Sequence, residues 1–215
     1  MNLHLPPTLR NRRYRLYWIG MILIWSGSQM MLWSLLWQIR SLSDQPLALG
    51  VVGAIRVIPT IAFSLVAGSV ADIVNRRKIM AISGAGMAVI GAVLAILTFR
   101  GTIQLWVIYL AVGLMAVSTT FEQPARQSVI PNLVPARDLH NAFSMQVIAS
   151  EIGALIGPIL SGLLIGRVGQ YSPYLVSSFF FVGMIGLLAA IGPIAQEAEP
   201  DQARARVTLS AIRQG

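Results

Sequence analysis

"GSVADIVNRRKIM", residues 68–80, joins two apolar runs and gathers one carboxylate, Asp72, with three cations, Arg76, Arg77 and Lys78. Only 11 % of the 215 residues are charged, 55 % are hydrophobic, and the mean hydropathy is +0.70. Soluble domains average about 25 % charged residues, so ionised side chains here are too few to cover a water-facing surface. The chain is therefore read as an integral membrane protein. A net charge of +8 would suit a nucleic-acid partner only on a basic face of a soluble body. Here the cations sit between apolar runs, which excludes nucleic acid and gives them a topological role. Cysteine is absent, which removes disulfides, thiol chemistry and Cys-based metal sites. His4 and His140 do not form a ligand pair, and no phosphate-cradling Gly-x-x-x-x-Gly-Lys loop occurs. No metal, cofactor or covalent chemistry is implied.

Working outward from the charged bend, six runs approach the roughly 20 residues that cross the hydrocarbon as a helix. They extend over residues 16–38, 47–71, 79–99, 105–121, 142–166 and 174–194. Barrel strands are excluded because the runs are long and do not alternate in and out. The first run follows Arg10, Arg12, Arg13 and Arg15 but is too long for a signal peptide, so it is read as a retained helix. The bend at 68–80 is then a short loop between the second and third spans.

Basic residues set the orientation. With the N-terminus inside, the inner segments hold Arg10, Arg12, Arg13 and Arg15, then Arg76, Arg77 and Lys78, then Arg126 and Arg137, then Arg204, Arg206 and Arg213. The outer loops hold only Arg40, Arg100 and Arg167. This bias places both termini in the cytoplasm. Tyr14, Tyr17 and Trp18 are expected at the inner interface, Trp33 and Trp37 at the outer one. The cation cluster also anchors its loop to anionic lipid, at about 1 kcal/mol per cation. That does not account for Asp72, because acidic residues contribute little to orientation.

The pattern Gly68-x-x-Ala71-Asp72-x-x-x-Arg76-Arg77-Lys78 resembles the loop signature between the second and third helices of the major facilitator superfamily. The resemblance implies that Asp72 and the arginines form a charge cluster against the other half of the transporter, biasing the outward-facing state. Ile73 stands where a basic residue is usual and Asn75 where a glycine is usual. Asn tolerates the left-handed conformation, so the turn is expected to survive.

"GALIGPILSG", residues 153–162, is similar to the antiporter motif of that superfamily's drug exporters, with Ser161 in place of one glycine. Its physics is readable directly. Ala149, Gly153, Gly157 and Ser161 recur every four residues and make one smooth face, which lets membrane helices approach closely. Pro158 removes a backbone donor and should bend the helix. Gly162 completes the motif. The face is read as a packing seam that also governs movement. "EQPARQSVIPNLVPARDLHNAFSM", residues 122–145, resembles the loop between helices 4 and 5 of the exporter branch that includes macrolide efflux and enterobactin export proteins. Glu122 and Arg126 have ion-pair spacing, with Pro124 between them marking a helix end. They are expected on the inner rim, either solvated or gating.

The fold expected is all-α: six transmembrane helices arranged as two inverted three-helix repeats, half of a twelve-helix major facilitator fold. Gly68-x-x-x-Asp72-x-x-Asn75 is echoed by Gly162-x-x-x-Gly166-x-x-Gly169 at the equivalent point of the second trio. Residues 1–194 form the six-helix part. Residues 195–215, "AQEAEPDQARARVTLSAIRQG", are like the central cytoplasmic linker, so the chain is read as a truncated product whose partner is a missing C-terminal six-helix half. A half-size protein that dimerises is the alternative.

Ionisable groups at membrane depth are functional candidates. Arg56 lies within the second span. Glu151 lies near the middle of the fifth and, two residues before Gly153, points away from the smooth face. It is read as a cavity or coupling group, or as a structural partner of Arg56. Trp25, Gln29 and Trp33 are spaced at four residues on the first helix, as a cavity wall for amphipathic compounds would be. Many proton-coupled members of the superfamily carry an arginine in helix 4 four residues before a glycine, where this chain has Tyr109 before Gly113. The resemblance implies a secondary active exporter in a bacterial inner membrane. It would take lipid, a small-molecule substrate and protons as partners and work by alternating access. A non-transporting six-helix scaffold is the competing reading. Protease mapping of right-side-out vesicles is expected to leave residues 68–80 uncut, and cleavage there from the external side would overturn the orientation.

Overall fold

Lipid offers the backbone no hydrogen-bonding partner, so each apolar run closes its own bonds as a helix. The computed structural model describes residues 7–192, without the side chains of residues 7, 72 and 73. A short turn of helix, α1 (Pro7–Arg10), leads into six long helices: α2 (Arg12–Leu42), α3 (Pro46–Ile73), α4 (Arg76–Phe99), α5 (Leu105–Val129), α6 (Leu139–Arg167) and α7 (Ser172–Ile191). Two 3-10 turns, Ile130–Asn132 and Ala136–Asp138, connect α5 to α6. Six helices are long and apolar enough to span a membrane. The proposed linker at 195–215 and the side chain of Asp72 lie outside the described residues.

Neighbour relations reveal the symmetry. α2 packs on α6 and α7, α5 packs on α3 and α4, and α4 packs on α7. Exchanging the trio α2–α3–α4 for α5–α6–α7 maps each of these pairs onto another pair or itself. Equivalent helices are three spans apart in the chain, an odd step, so the second trio enters from the opposite face, as an inverted repeat requires. The six helices form an arc in the order α6, α2, α7, α4, α5, α3. The end helices α3 and α6 are therefore least covered, and Leu65, Ile61, Leu155 and Ile159 stand exposed on them.

The smooth face on α6 is an interface. Ala149, Gly153, Gly157 and Ser161 are all buried, and Gly153 and Gly157 meet Trp25, Ser26, Gln29 and Met30 of α2 at backbone distance. A methyl group at Gly153 would fall 2.8 Å from the Ser26 nitrogen, and one at Gly157 would fall 2.5 Å from Gln29 Cβ. The seam closes with Ser34 and Ser161, whose hydroxyls are 2.8 Å apart. Pro158 lies inside a helix that continues to Arg167. Gly162 belongs to a different face: it is exposed, and an added methyl would meet nothing within 4 Å.

Several expectations are corrected. The cations at 76–78 do not occupy a loop; they form the first turn of α4, and the bend shrinks to Val74 and Asn75. Asn75 has φ −56, so it does not use the left-handed region. Its side chain instead caps α4 by accepting from the Arg77 nitrogen at 3.0 Å, the role for which Asn is favoured. Gly169, its counterpart in the sequence echo, does take positive φ, at 127. Tyr14 and Tyr17, in the first turns of α2, are buried against neighbouring helices. Their hydroxyls donate to Ala142 O at 2.7 Å and Arg126 O at 2.9 Å, and the Trp18 indole donates to Met145 O at 2.7 Å. These bonds tie α2 to α5 and α6.

The seam gives a direct test. Gly153→Val forces branched atoms into the α2 backbone and should cost about 1–3 kcal/mol or more by overpacking. Gly162→Val, on the open face, should be near neutral. Thermal unfolding in detergent reads the difference, and equal midpoints for the two variants would contradict the seam.

Candidate functional site

A cavity opens among four helices of the arc. Its volume is about 300 Å³, and its wall is built from α2, α3, α4 and α5. α2 contributes Trp25 and Gln29, α3 contributes Arg56 and Thr60, and α5 contributes Glu122 and Arg126. Met87, Val112 and Met115 supply apolar wall. An apolar surface with a few convergent polar groups is the usual make-up of a small-molecule site.

Glu122 and Arg126 differ most from expectation. α5 does not end at Pro124 but continues to Val129. Pro124 sacrifices one backbone bond, and the helix on either side retains its turn. That continuity holds the two side chains at i, i+4, with Arg126 Nη1 and Glu122 Oε1 3.5 Å apart. Glu122 is 4 % exposed and Arg126 8 %, so neither belongs to a solvated rim. The guanidinium carbon sits 4.8 Å from the centre of the Trp25 ring, within cation–π range. Arg126 Nε and Trp25 Nε1 are buried, and among the described residues neither finds a hydrogen-bond partner.

Other site residues divide into three groups. Trp25, Gln29 and Arg56 join the cavity wall, whereas Trp33 is half exposed and lies outside it. Glu151 is exposed, does not line the cavity, and makes no ion pair among the described residues. The Glu151–Arg56 pair does not form. Arg76 and Arg77 reach neighbouring helix ends: Arg76 Nη1 donates to Ser128 O of α5 at 2.8 Å, and Arg77 Nη2 donates to Ala189 O of α7 at 3.3 Å. Cations at a helix N-terminus oppose its dipole but stabilise the C-terminus of a neighbour. Antiparallel packing makes both statements true of the same two residues. Tyr109, which replaces the expected arginine, donates to Ala48 O at 3.0 Å and pins α5 to α3.

The sequence profile of the transmembrane secretion effectors, a branch of the major facilitator superfamily, matches residues 5–215. The chain belongs to this family. Among curated proteins it is similar to the staphyloferrin A transporter of Staphylococcus aureus, 24 % identical over 170 residues that cover 78 % of this chain and 40 % of that protein. Macrolide efflux protein A of Streptococcus pyogenes is 21 % identical over 173 residues, covering 80 % of this chain and 41 % of that protein. Macrolide efflux protein A of Enterococcus faecalis is 25 % identical over 133 residues, covering 62 % and 39 %. The chain thus spans about two-fifths of the length of the relatives it matches. Secretion-effector membership accounts for the six spans, the inverted trios and the cavity between them.

Removing one partner of a buried ion pair costs about 3–5 kcal/mol, and removing both costs far less. Arg126→Leu should therefore lower the unfolding midpoint strongly, and adding Glu122→Leu should restore most of it. Additive losses in the double variant, measured by thermal unfolding in detergent, would show that the two groups are not coupled.

Proposed function

We propose that this six-helix bundle is the substrate-holding part of a secondary active exporter. It moves small amphipathic molecules out of the cytoplasm by alternating access, in a bacterial inner membrane with both termini cytoplasmic. The observation that carries the reading is the cavity: a space large enough for a small organic molecule, apolar over much of its wall, with ionised groups held at membrane depth. Such groups are costly in lipid and mark substrate or ion paths. Relatives named for staphyloferrin A transport and macrolide efflux support the direction and the size class of the cargo. The exposed apolar faces of α3 and α6 suit a second six-helix bundle that closes the pathway, with the Gly153–Gly157 seam as the surface along which α6 shifts against α2. Proton antiport is the proposed coupling. Glu151, the acid the sequence offered for this role, does not line the cavity, whereas Glu122 does, which favours Glu122 as the proton carrier.

Cells producing the full protein should accumulate less of a fluorescent amphipathic dye than cells without it, and a protonophore should abolish the difference. Trp25→Ala, in the cavity wall, should raise accumulation toward the control. Trp33→Ala, outside the wall, should not. Equal accumulation with and without the protein would remove the transport reading.

A further inference from the structure

Charge in the cavity wall is unbalanced. Arg56 and Arg126 supply two guanidinium groups, and Glu122 supplies the only carboxylate among the wall residues. Arg126 is partly neutralised by Glu122, though at 3.5 Å the pairing is loose. Arg56 has no ion pair and no side-chain hydrogen bond among the described residues. Asp72 cannot supply one along the same helix: sixteen residues at about 1.5 Å each put it roughly 24 Å away. Glu151 is outside the wall.

Depth sharpens the asymmetry. α3 and α5 run side by side in register, since Ile55 lies against Gly113 and Phe63 against Phe121. Arg56 is then level with Leu114, twelve residues from Arg126, which is about 18 Å along the axis. One cation therefore stands alone deep in the wall, and the other sits beside its carboxylate nearer the end of the bundle where α5 stops. Thr60, one turn from Arg56, spends its hydroxyl on the Arg56 carbonyl at 2.8 Å, which leaves the guanidinium uncommitted. In a partly enclosed, largely apolar cavity a lone cation attracts an anion more strongly than it would in bulk water. A planar guanidinium is also the side chain best matched to a carboxylate.

We infer that the cavity selects amphipathic organic anions, carboxylates above all, and that Arg56 is the residue that meets the ligand's charge. The ligand's apolar body lies against Trp25 and Met115, and its carboxylate accepts from Arg56. Glu122 opposes the anion, so the Glu122–Arg126 pair tempers affinity at the other station. The inference rests on the transport reading for its biological sense, but its test does not.

Three dansyl probes share a body and differ in charge: dansylglycine is anionic, dansylamide neutral, and the mono-dansyl derivative of ethylenediamine cationic. Fluorescence polarisation with the full chain in nanodiscs, blanked against empty nanodiscs, should show dansylglycine binding about tenfold tighter than the cationic probe. Arg56→Gln should weaken dansylglycine binding about tenfold and leave dansylamide unchanged. Arg56 is exposed and makes no ion pair or side-chain hydrogen bond among the described residues, so this variant should fold. Glu122→Gln should tighten dansylglycine binding, an effect opposite in sign to simple structural damage. Preference for the cationic probe, equal binding of all three, no binding of any, or indifference of dansylglycine to Arg56→Gln would each overturn the inference. Dye accumulation in cells judges the transport reading separately, so the two can fail independently.

Discussion

Close approach of α6 to α2 is the contact on which the bundle depends. In lipid the tails are as apolar as the side chains, so helices are not driven together by hiding from water. Association rests on van der Waals packing and on hydrogen bonds between helices. Gly153 and Gly157 let the two backbones come so near that even a methyl group would clash. Ser34 and Ser161 then meet across the seam, and further along Tyr14 and Trp18 donate to carbonyls of α6. With α2 held against α6 on one side and α7 on the other, Trp25 and Gln29 stand at the edge of the α6 seam and also line the cavity.

The charged segment that begins α4 serves the same economy of polar groups. Every helix end leaves carbonyls without partners, and these are expensive near lipid. Arg76 and Arg77 satisfy carbonyls of α5 and α7, binding three helices at one end of the bundle. At the other end Gln38, Tyr174 and Thr98 form a second clip, with the Tyr174 hydroxyl donating to Gln38 Oε1 at 2.7 Å and Gln38 Nε2 donating to Thr98 at 3.1 Å. Polar ties hold both ends of the bundle, and the smooth α2–α6 seam lies between them.

The candidate site was only partly legible in the sequence. Trp25 and Gln29 were found from their spacing, and Arg56 from its position inside an apolar run, because each is a local signal. Glu122 and Arg126 had the right spacing but were assigned to a rim, since Pro124 normally ends a helix. The helix survives it because the missing donor costs one bond, whereas ending α5 there would expose several. Glu151 was read as a candidate for the cavity and stands outside its wall. Its angle away from Gly153 was read correctly, but which neighbour stands on that side is not a property of its own helix. The faces of Asn75 and Tyr17 were likewise settled by partners more than fifty residues distant or by a cap that a turn signal does not distinguish.

From the sequence alone came the class, the six spans and the small-residue face, because lipid imposes helix length and apolarity locally and a four-residue repeat shows within one helix. Family membership was also visible there, in the motifs at 68–78 and 153–162. Tertiary structure alone decided which helices are neighbours, that the cations of α4 cap other helices, and that Arg56 and the Glu122–Arg126 pair share one cavity. The physical reason is the same in each case: burial, charge balance and hydrogen-bond satisfaction are set by what lies opposite a side chain, and in this bundle what lies opposite is almost always another helix.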